Sequence, residues 1–419
     1  MTVTILSTER ARTVFRYAVM AVGSLFLLGT SSSSAQTIRY SKPIVIFKGG
    51  VYRGNWQSLD PKVAAVTIST PEPVTIEYSN IKSRGRLIYS AFHNANLTVR
   101  NSRGQALNPN TPLKDYKTPG RFVHLEQFRN VKIENNELSG TSGIYLREFT
   151  GKFKLGQTIK ILRNKALNID GRYSIGKEQY SKTGYHLVQF VQFNQIKNVS
   201  GAEIAWNQVI NEPGKSRVEE IISMYLSSGV PSSSIKIHNN YLQGAFNVQP
   251  TKLSYGGSGM NLGDGSSRTV AGAAAYIRAF HNQIVGTNSG IAMSAGHNLL
   301  AYENRLISSG YLPDGRAIAG QNVGIYVWDI HNDKRFKTFY NVVARDNIVG
   351  WSTPLKGRAS VNPFWFPDCS RDRNGRSLCQ GNVSLPGPIT LGRERQEYVR
   401  WQAKLRASKV RIGVLPPGR

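Results

Sequence analysis

Acidic residues are scarce in this chain. Its 419 residues hold 25 Asp and Glu against 53 Lys and Arg, a formal charge of +28. So lopsided a surface points to a polyanionic partner. Cysteine is nearly absent as well. The only two, Cys369 and Cys379, fall in one late segment. That excludes a disulfide-dense scaffold and a cysteine-built zinc module, and suggests one small disulfide loop in an exported chain. Beyond the first residues no apolar run is long enough to cross a bilayer. Phosphate loops, a Rossmann fingerprint, HExxH, an EF-hand loop and serine-nucleophile motifs are missing too. No cofactor and no metal ligand set is therefore assigned, with calcium left open. Without a recognisable nucleic-acid module, nucleic acid is not an expected partner.

What is present begins with a leader. Arg10, Arg12 and Arg16 precede an apolar stretch from Tyr17 to Leu28, and Ser33-Ser34-Ala35 follows. This is the layout of a secretory signal, so residues 1–35 are read as a signal peptide and the mature chain as secreted or periplasmic, with no membrane span left. The mature chain keeps a charge of +26, from 50 basic and 24 acidic residues. Outside the cytoplasm the expected polyanions are acidic polysaccharides or an anionic cell surface.

The body of the chain is organised by asparagine. Seven segments share the frame apolar-x-x-Asn-x-apolar: I-E-N-N-E-L, I-L-R-N-K-A, I-A-W-N-Q-V, I-H-N-N-Y-L, A-F-H-N-Q-I, A-Y-E-N-R-L and A-R-D-N-I-V. Their aligned residues are Asn136, Asn164, Asn207, Asn240, Asn282, Asn304 and Asn347, spaced 22 to 43 apart. A shortest unit of this size, built of short alternating strands, is the signature of a coiling β-solenoid. The asparagine falls where one strand bends into the next. There it tolerates left-handed backbone, and stacked coils bring the amides into a ladder. The repeat is thus architecture rather than chemistry.

These repeats resemble those of secreted right-handed parallel β-helix proteins, the superfamily that includes pectate lyases. The resemblance covers roughly residues 85–350, and G-G-V-Y-R-G-N-W-Q-S-L-D-P-K-V-A-A-V-T-I looks like the first coils of such proteins. It implies an all-β right-handed parallel β-helix. It implies no particular reaction, because the superfamily spans lyases, hydrolases, esterases and non-catalytic members. The paired aspartates of polygalacturonases, and the calcium-binding aspartates and arginine motif of pectate lyases, are not recognisable.

One alternating run lies between each pair of asparagine motifs, such as G-I-Y-L-R-E-F (143–149), I-I-S-M-Y-L (221–226), G-M-N-L-G-D (259–264) and G-I-Y-V-W-D (324–329). One run per gap means one coil per gap, so the long spacings are single coils with insertions. The insertions at 171–184, 211–219, 245–256 and 310–321 precede these strands, and 265–272 and 331–338 follow them. Loops on both sides of one sheet would wall a groove for a polymer. Alternation turns Ile144, Leu146, Met260, Leu262, Ile291, Met293, Ile325 and Val327 inward. It leaves Tyr145, Arg147, Gln189, Ser223, Tyr225, Asn261, Ser294, Tyr326 and Trp328 as the groove floor, with aromatics suited to sugar faces.

Candidate chemistry lies in the insertions. I-N-E-P-G-K-S-R-V-E-E (210–220) gathers Asn211, Glu212, Lys215, Arg217 and Glu219. A uronate lyase needs a cation to neutralise the substrate carboxylate and a base for the C5 proton, and Lys215 or Arg217 could fill these roles. Two D-G-R tripeptides supply Asp170 with Arg172 and Asp314 with Arg316, as acids, bases or cation ligands. Glu212, Asp170 and Asp314 would be the candidates in a hydrolase. At strand ends stand Asp264, His297, Asp329 and His331, and His124 with Glu126 would extend the site. Ordinary turn chemistry or a solvated loop accounts for each of these as well.

After about Gly357 the pattern changes. Residues 36–355 are read as the β-helix domain and 356–419 as a C-terminal capping segment. In it 394–407 reads as a helix with Tyr398, Trp401 and Leu405 on one stripe, covering the open end beside the disulfide loop. The expectation is a monomer that binds an acidic polysaccharide in the groove and cleaves it as a lyase or hydrolase. The alternative is a non-catalytic carbohydrate-binding or adhesion protein.

Overall fold

Strand pairing follows the asparagine repeat. The computed structural model describes residues 38–252, 256–355 and 358–417, and the signal peptide expected over 1–35 lies outside them. The protein is all-β, with two large parallel sheets and, among the described residues, one α-helix, α1 (Leu391–Ala407). Each strand pairs with the strand one repeat later. Lys165 stands beside Gln208, Gln208 beside Tyr241, Tyr241 beside Gln283 and Gln283 beside Arg305. The 43 residues between Asn164 and Asn207 are therefore one coil with an insertion, since their strands pair directly. This arrangement is consistent with a β-helix-like solenoid.

Three series of strands make up each coil. The flank series, a 12-stranded sheet, follows the asparagines. A floor series runs through Ile144–Phe149, Val191–Asn194, Glu220–Tyr225, Ser258–Asp264, Ser289–Met293 and Ile325–Val327. A second series runs through Ile159–Leu162, Glu203–Ala205, Ile235–His238, Ala275–Phe280, His297–Tyr302 and Tyr340–Arg345. Floor and second series merge into a 19-stranded sheet because Ile88–Arg100 and Val123–Glu134 run through both. Inside, Ile144, Val191, Ile222, Met260, Ile291 and Ile325 lie in register and are fully buried. All eight residues assigned inward by alternation are enclosed.

The asparagines form a continuous buried ladder. Asn136 Nδ2 donates to Asn164 Oδ1 at 3.0 Å, Asn164 to Asn207 at 2.9 Å, Asn207 to Asn240 at 2.9 Å, and so on through Asn347 to Asn382. Each amide also donates to a carbonyl of the preceding coil, as Asn207 does to Ile161 at 2.9 Å. At the other end Ser102 and Ser79 continue the line with hydroxyls. One expectation needs correcting. The left-handed residue at the corner is the one before each asparagine: Asn135, Arg163, Trp206, Asn239, His281, Glu303 and Asp346 all have φ between 52° and 59°. The asparagine is there for its amide, not for its tolerance of positive φ. Each rung supplies a donor and an acceptor to backbone that would otherwise be buried unpaired.

Cys369 and Cys379 form the disulfide. The loop they close lies on the last coil, where Ser370 N donates to Val342 O and Asp346 N to Gln380 O. The helix expected to close that end does something else. Capped by Thr390, α1 lies along the flank sheet. Trp401 is buried against Tyr241, ring centroids 5.9 Å apart, and its Nε1 donates to Gln208 at 2.9 Å. Buried Glu397 takes Arg305 at 2.9 Å and Gln283 at 3.1 Å. Past the helix the tail reaches the early coils, where Asn135 Nδ2 donates to Arg411 O and Leu415 N to Asn101 Oδ1. Among the described residues no helix is long and apolar enough to cross a membrane.

Candidate functional site

On the outward side of the floor strands residues line up in rows across the coils, some exposed and some, such as Ser223, Asn261 and Ala292, buried. One row runs Tyr89, His124, Tyr145, Gln192, Ser223, Asn261, Ala292 and Tyr326 to Trp365. Two pockets open on this floor, one acidic and one basic.

The acidic pocket lies toward the C-terminal coils, with a volume of about 220 Å³. Glu220, the first residue of its floor strand, is 8% exposed. Burial and the neighbouring charges of Glu219 and Asp264 push its carboxyl well above the usual carboxylate range, so it holds its proton. Its Oε2 has no hydrogen-bond partner among the described residues, and neither do Ser258 Oγ and Asn288 Oδ1 in the same wall. Glu219 accepts from Gln189 Nε2 at 3.1 Å. Asp264, also pushed up by burial, accepts from Ser223 Oγ at 3.0 Å. Burial raises Tyr326 to about 12, so its phenol stays neutral. Trp328 and Trp365 complete the rim, centroids 4.8 Å apart, at 36% and 45% exposure. Gly256 and Gly257 are required in the wall. A Cβ on Gly256 would fall 2.0 Å from the Asn288 side chain, and one on Gly257 2.1 Å from Glu219 O.

The basic pocket, of about 350 Å³, lies near the N-terminal coils and is lined by Arg84, Arg86, Lys117, Arg121, His124 and Tyr145, among others. Arg86 Nε donates to His124 Nδ1 at 3.0 Å, which places the ring proton on Nε2, facing Glu126 Oε1 at 2.9 Å. Burial pulls His124 down to about 4; Glu126 opposes this, while Arg86 and Arg121 add to it. The imidazole is neutral with a set tautomer. Arg121 donates to Ser142 O at 2.8 Å and lies over the Tyr145 ring at 5.2 Å. Burial lowers it only to about 10, so it stays charged.

The structure sorts the candidates named from sequence. Tyr145, Arg147, Asp264, Tyr326 and Trp328 stand on the floor strands or directly after them, at least partly exposed, and Tyr225 pairs with Asp264 in register; Ser223, Asn261 and Ser294, expected on the groove floor, are buried instead. Gln189 is buried beneath Glu219 rather than presented to the groove. Arg217 is completely enclosed, with its guanidinium over the Tyr185 ring at 4.2 Å and a bond to Val218 O. It holds the insertion down and is out of reach of a polymer. Asp170 and Arg172 form a largely buried ion pair at 2.8 Å, with Arg172 over Tyr180, and staple the 172–185 hairpin to its coil. Glu212, Lys215, Asp314 and Arg316 do share an open cleft of about 670 Å³. They are spent on each other, Lys215 with Glu212 at 3.1 Å and Arg316 with Asp314 at 2.6 Å. Asp314 raises the exposed Arg316, the opposite of what a base requires.

His297 is not on the floor. It opens a strand of the second series, stacked on Tyr340 at 4.6 Å with Nε2 at 3.2 Å from Val270 O. Asp329 accepts the amides of Asp333 and Lys334 and so caps a short turn. Among the described residues no cluster of three or more His, Cys, Asp or Glu is placed to hold a metal. Glu220 is the residue that sequence reasoning overlooked. The available signal was a pair of adjacent acids, E-E, at the junction of an insertion and a floor strand in a chain poor in acids. Arg86 and Arg121 were missed as well, although each stands just ahead of a floor strand in successive coils.

No protein-family model matches the chain, and no curated protein matches it in sequence.

Proposed function

We propose that the protein is an exported right-handed parallel β-helix of the pectate-lyase-like kind that hydrolyses an acidic polysaccharide lying across its floor. The observation that carries this reading is Glu220: a buried, protonated carboxyl with an unpartnered oxygen, next to Glu219 and near Asp264, in a pocket rimmed by Tyr326, Trp328 and Trp365. A carboxyl whose environment raises its affinity for a proton, paired with a second carboxylate, is what glycoside hydrolysis requires.

In this reading Trp328 and Trp365 stack on the sugar faces and fix the glycosidic oxygen near Glu220. Glu220 donates its proton to that oxygen as the bond to the anomeric carbon breaks, and the leaving sugar departs as a neutral alcohol. Asp264, oriented by Ser223, takes a proton from the attacking water. Burial, with the charge of Glu219 beside it, strengthens Glu220's hold on its proton. Protonation offsets part of the cost of burying these acids together, because a neutral carboxyl needs no counter-ion.

The test is a panel of acidic, mixed and neutral polysaccharides incubated with the mature protein. New reducing ends and ultraviolet absorbance from unsaturated uronates are followed together. Reducing ends without absorbance are the expected result. Both rising together would make the enzyme a lyase and reject the Glu220 mechanism. Salt-sensitive binding with neither signal would leave a carbohydrate-binding or adhesion protein.

A further inference from the structure

A hydrolytic pocket that presents Glu220, with the charges of Glu219 and Asp264 close by, is a poor place for a charged sugar. A carboxylate or sulfate bound there would face acids, yet the chain as a whole is strongly positive. The question is where on the floor an anionic group would be welcome.

The basic pocket answers it. Arg84 is occupied by Glu178 and the carbonyl of Asn108. The one carboxylate in the lining, Glu126, is taken by His124 and Arg147. Arg86 and Arg121 are left with no carboxylate partner among the described residues. Arg86 binds an imidazole and lies over the Tyr89 ring at 4.6 Å, and Arg121 spends an N–H on one backbone carbonyl. Two guanidiniums side by side, with neutral His124 and Tyr145 as further polar groups, form a seat for one anion. Guanidiniums bind carboxylate and sulfate through paired N–H groups.

The two pockets stand over one strand series, although Ser223, Asn261 and Ala292 between them are buried. Tyr145 and Tyr326 occupy the same row, linked through Gln192, Ser223, Asn261 and Ala292. Five strand steps at the usual spacing separate them by about 24 Å. A pyranose unit is close to one strand spacing in length, so a glycan lying across the coils would place about one sugar on each.

We propose that the basic pocket is a distal subsite for an anionic substituent of the glycan, a carboxylate or a sulfate ester. The substrate is then a heteropolysaccharide that carries a neutral sugar at the bond to be broken and a charged one about five units away. The proposal rests on the hydrolytic reading for its direction, but its binding half can be measured alone.

Ligand-observed NMR would be run with glucuronate, inorganic sulfate and glucose on the wild-type protein. The variants are the Arg86→Gln/Arg121→Gln double, Arg86→Lys/Arg121→Lys and Glu220→Gln. Glucuronate or sulfate should bind wild type and Glu220→Gln alike, with glucose silent. The glutamine double should lose at least tenfold in affinity, and the lysine double should recover part of it with the same melting temperature as wild type. Tighter glucuronate points to uronic acid, and tighter sulfate to a sulfate ester. No binding of either anion to wild type, or equal binding to the glutamine double, overturns the proposal. Hydrolysis of the polysaccharide panel by the same samples reports on Glu220 separately. Anion binding that survives while Glu220→Gln still hydrolyses would reject the mechanism and keep the subsite.

Discussion

The acidic and basic pockets stand on one floor and handle charge in opposite ways. Around Glu220, burial strengthens the carboxyls' hold on protons, most of all at Glu220, and the scarce acids are gathered where they disturb one another. Around Arg121, burial leaves that guanidinium charged and removes the charge from His124 instead. The same loss of water thus yields a proton donor at one end and a cation at the other. What decides is the starting pKa: burial moves a carboxyl or an imidazole across neutral pH far more readily than a guanidinium. The overall positive charge of the chain describes the second pocket and conceals the first.

Four measurements would break or sharpen this contrast. The largest effect is expected for Glu220→Gln, which should lower hydrolysis by about 10²–10⁴-fold, the range for loss of a general acid, while glycan binding stays within about twofold. If Arg121→Gln gave the same loss of turnover at saturating substrate, the chemistry would belong to the basic end.

Next comes the scaffold that both pockets share. Asn207→Ala removes a rung that serves Asn164, Asn240 and the Ile161 carbonyl, leaving several buried groups unpaired. A loss of about 3–5 kcal/mol in denaturant unfolding is expected. A loss below about 1 kcal/mol would mean that the ladder is incidental.

The pH dependence of stability should split between the pockets. Glu220 binds its proton more tightly folded than unfolded. Its contribution is therefore complete below the unfolded value near 4.5 and is lost as pH rises through the raised folded value. Glu220→Gln should flatten that decline. His124 runs the other way. Its folded value of about 4 lies below the unfolded one of 6.5, so stability is lost as pH falls from about 6.5 to about 4, by up to about 3 kcal/mol. His124→Gln should remove this acid-side loss. Parallel profiles for both variants would refute the assignment. The smallest effect is expected at the rim: Trp328→Ala should weaken glycan binding by about 1 kcal/mol, read by calorimetry, and leave the melting temperature unchanged.

Much of the scaffold was legible because it repeats. The frame around Asn207 recurs often enough to expose the ladder, and strict alternation around Ile144, Met260 and Ile325 marks the inward face. The functional pockets do not repeat, and that is why they were hard to see. Glu220 and Tyr326 are far apart in sequence and meet only because stacking brings their coils together. His297 was misplaced by counting along the floor, because Gly296, at φ 89°, turns the chain into the second series just before it. A Cβ on Gly296 would fall 2.3 Å from Ala274 O, so this corner needs glycine. The charged loop residues Lys215 and Arg217 looked alike on paper. Their fates differ because Tyr185, from another insertion, covers only Arg217. For the helix, the stripe of Trp401 and Leu405 was visible, but Trp206 and Tyr241, which receive it, lie on separate coils.

The tail beyond that helix changes what kind of object the array is. A row of coils touching only their neighbours can open at either end without disturbing the middle. Here Arg411 and Leu415 are tied to Asn135 and Asn101 in the early coils, 276 and 314 residues before them. This segment acts as a latch on coils far from it in sequence. A chain cut short of Arg411 would keep every rung of its ladder and yet fray from the front.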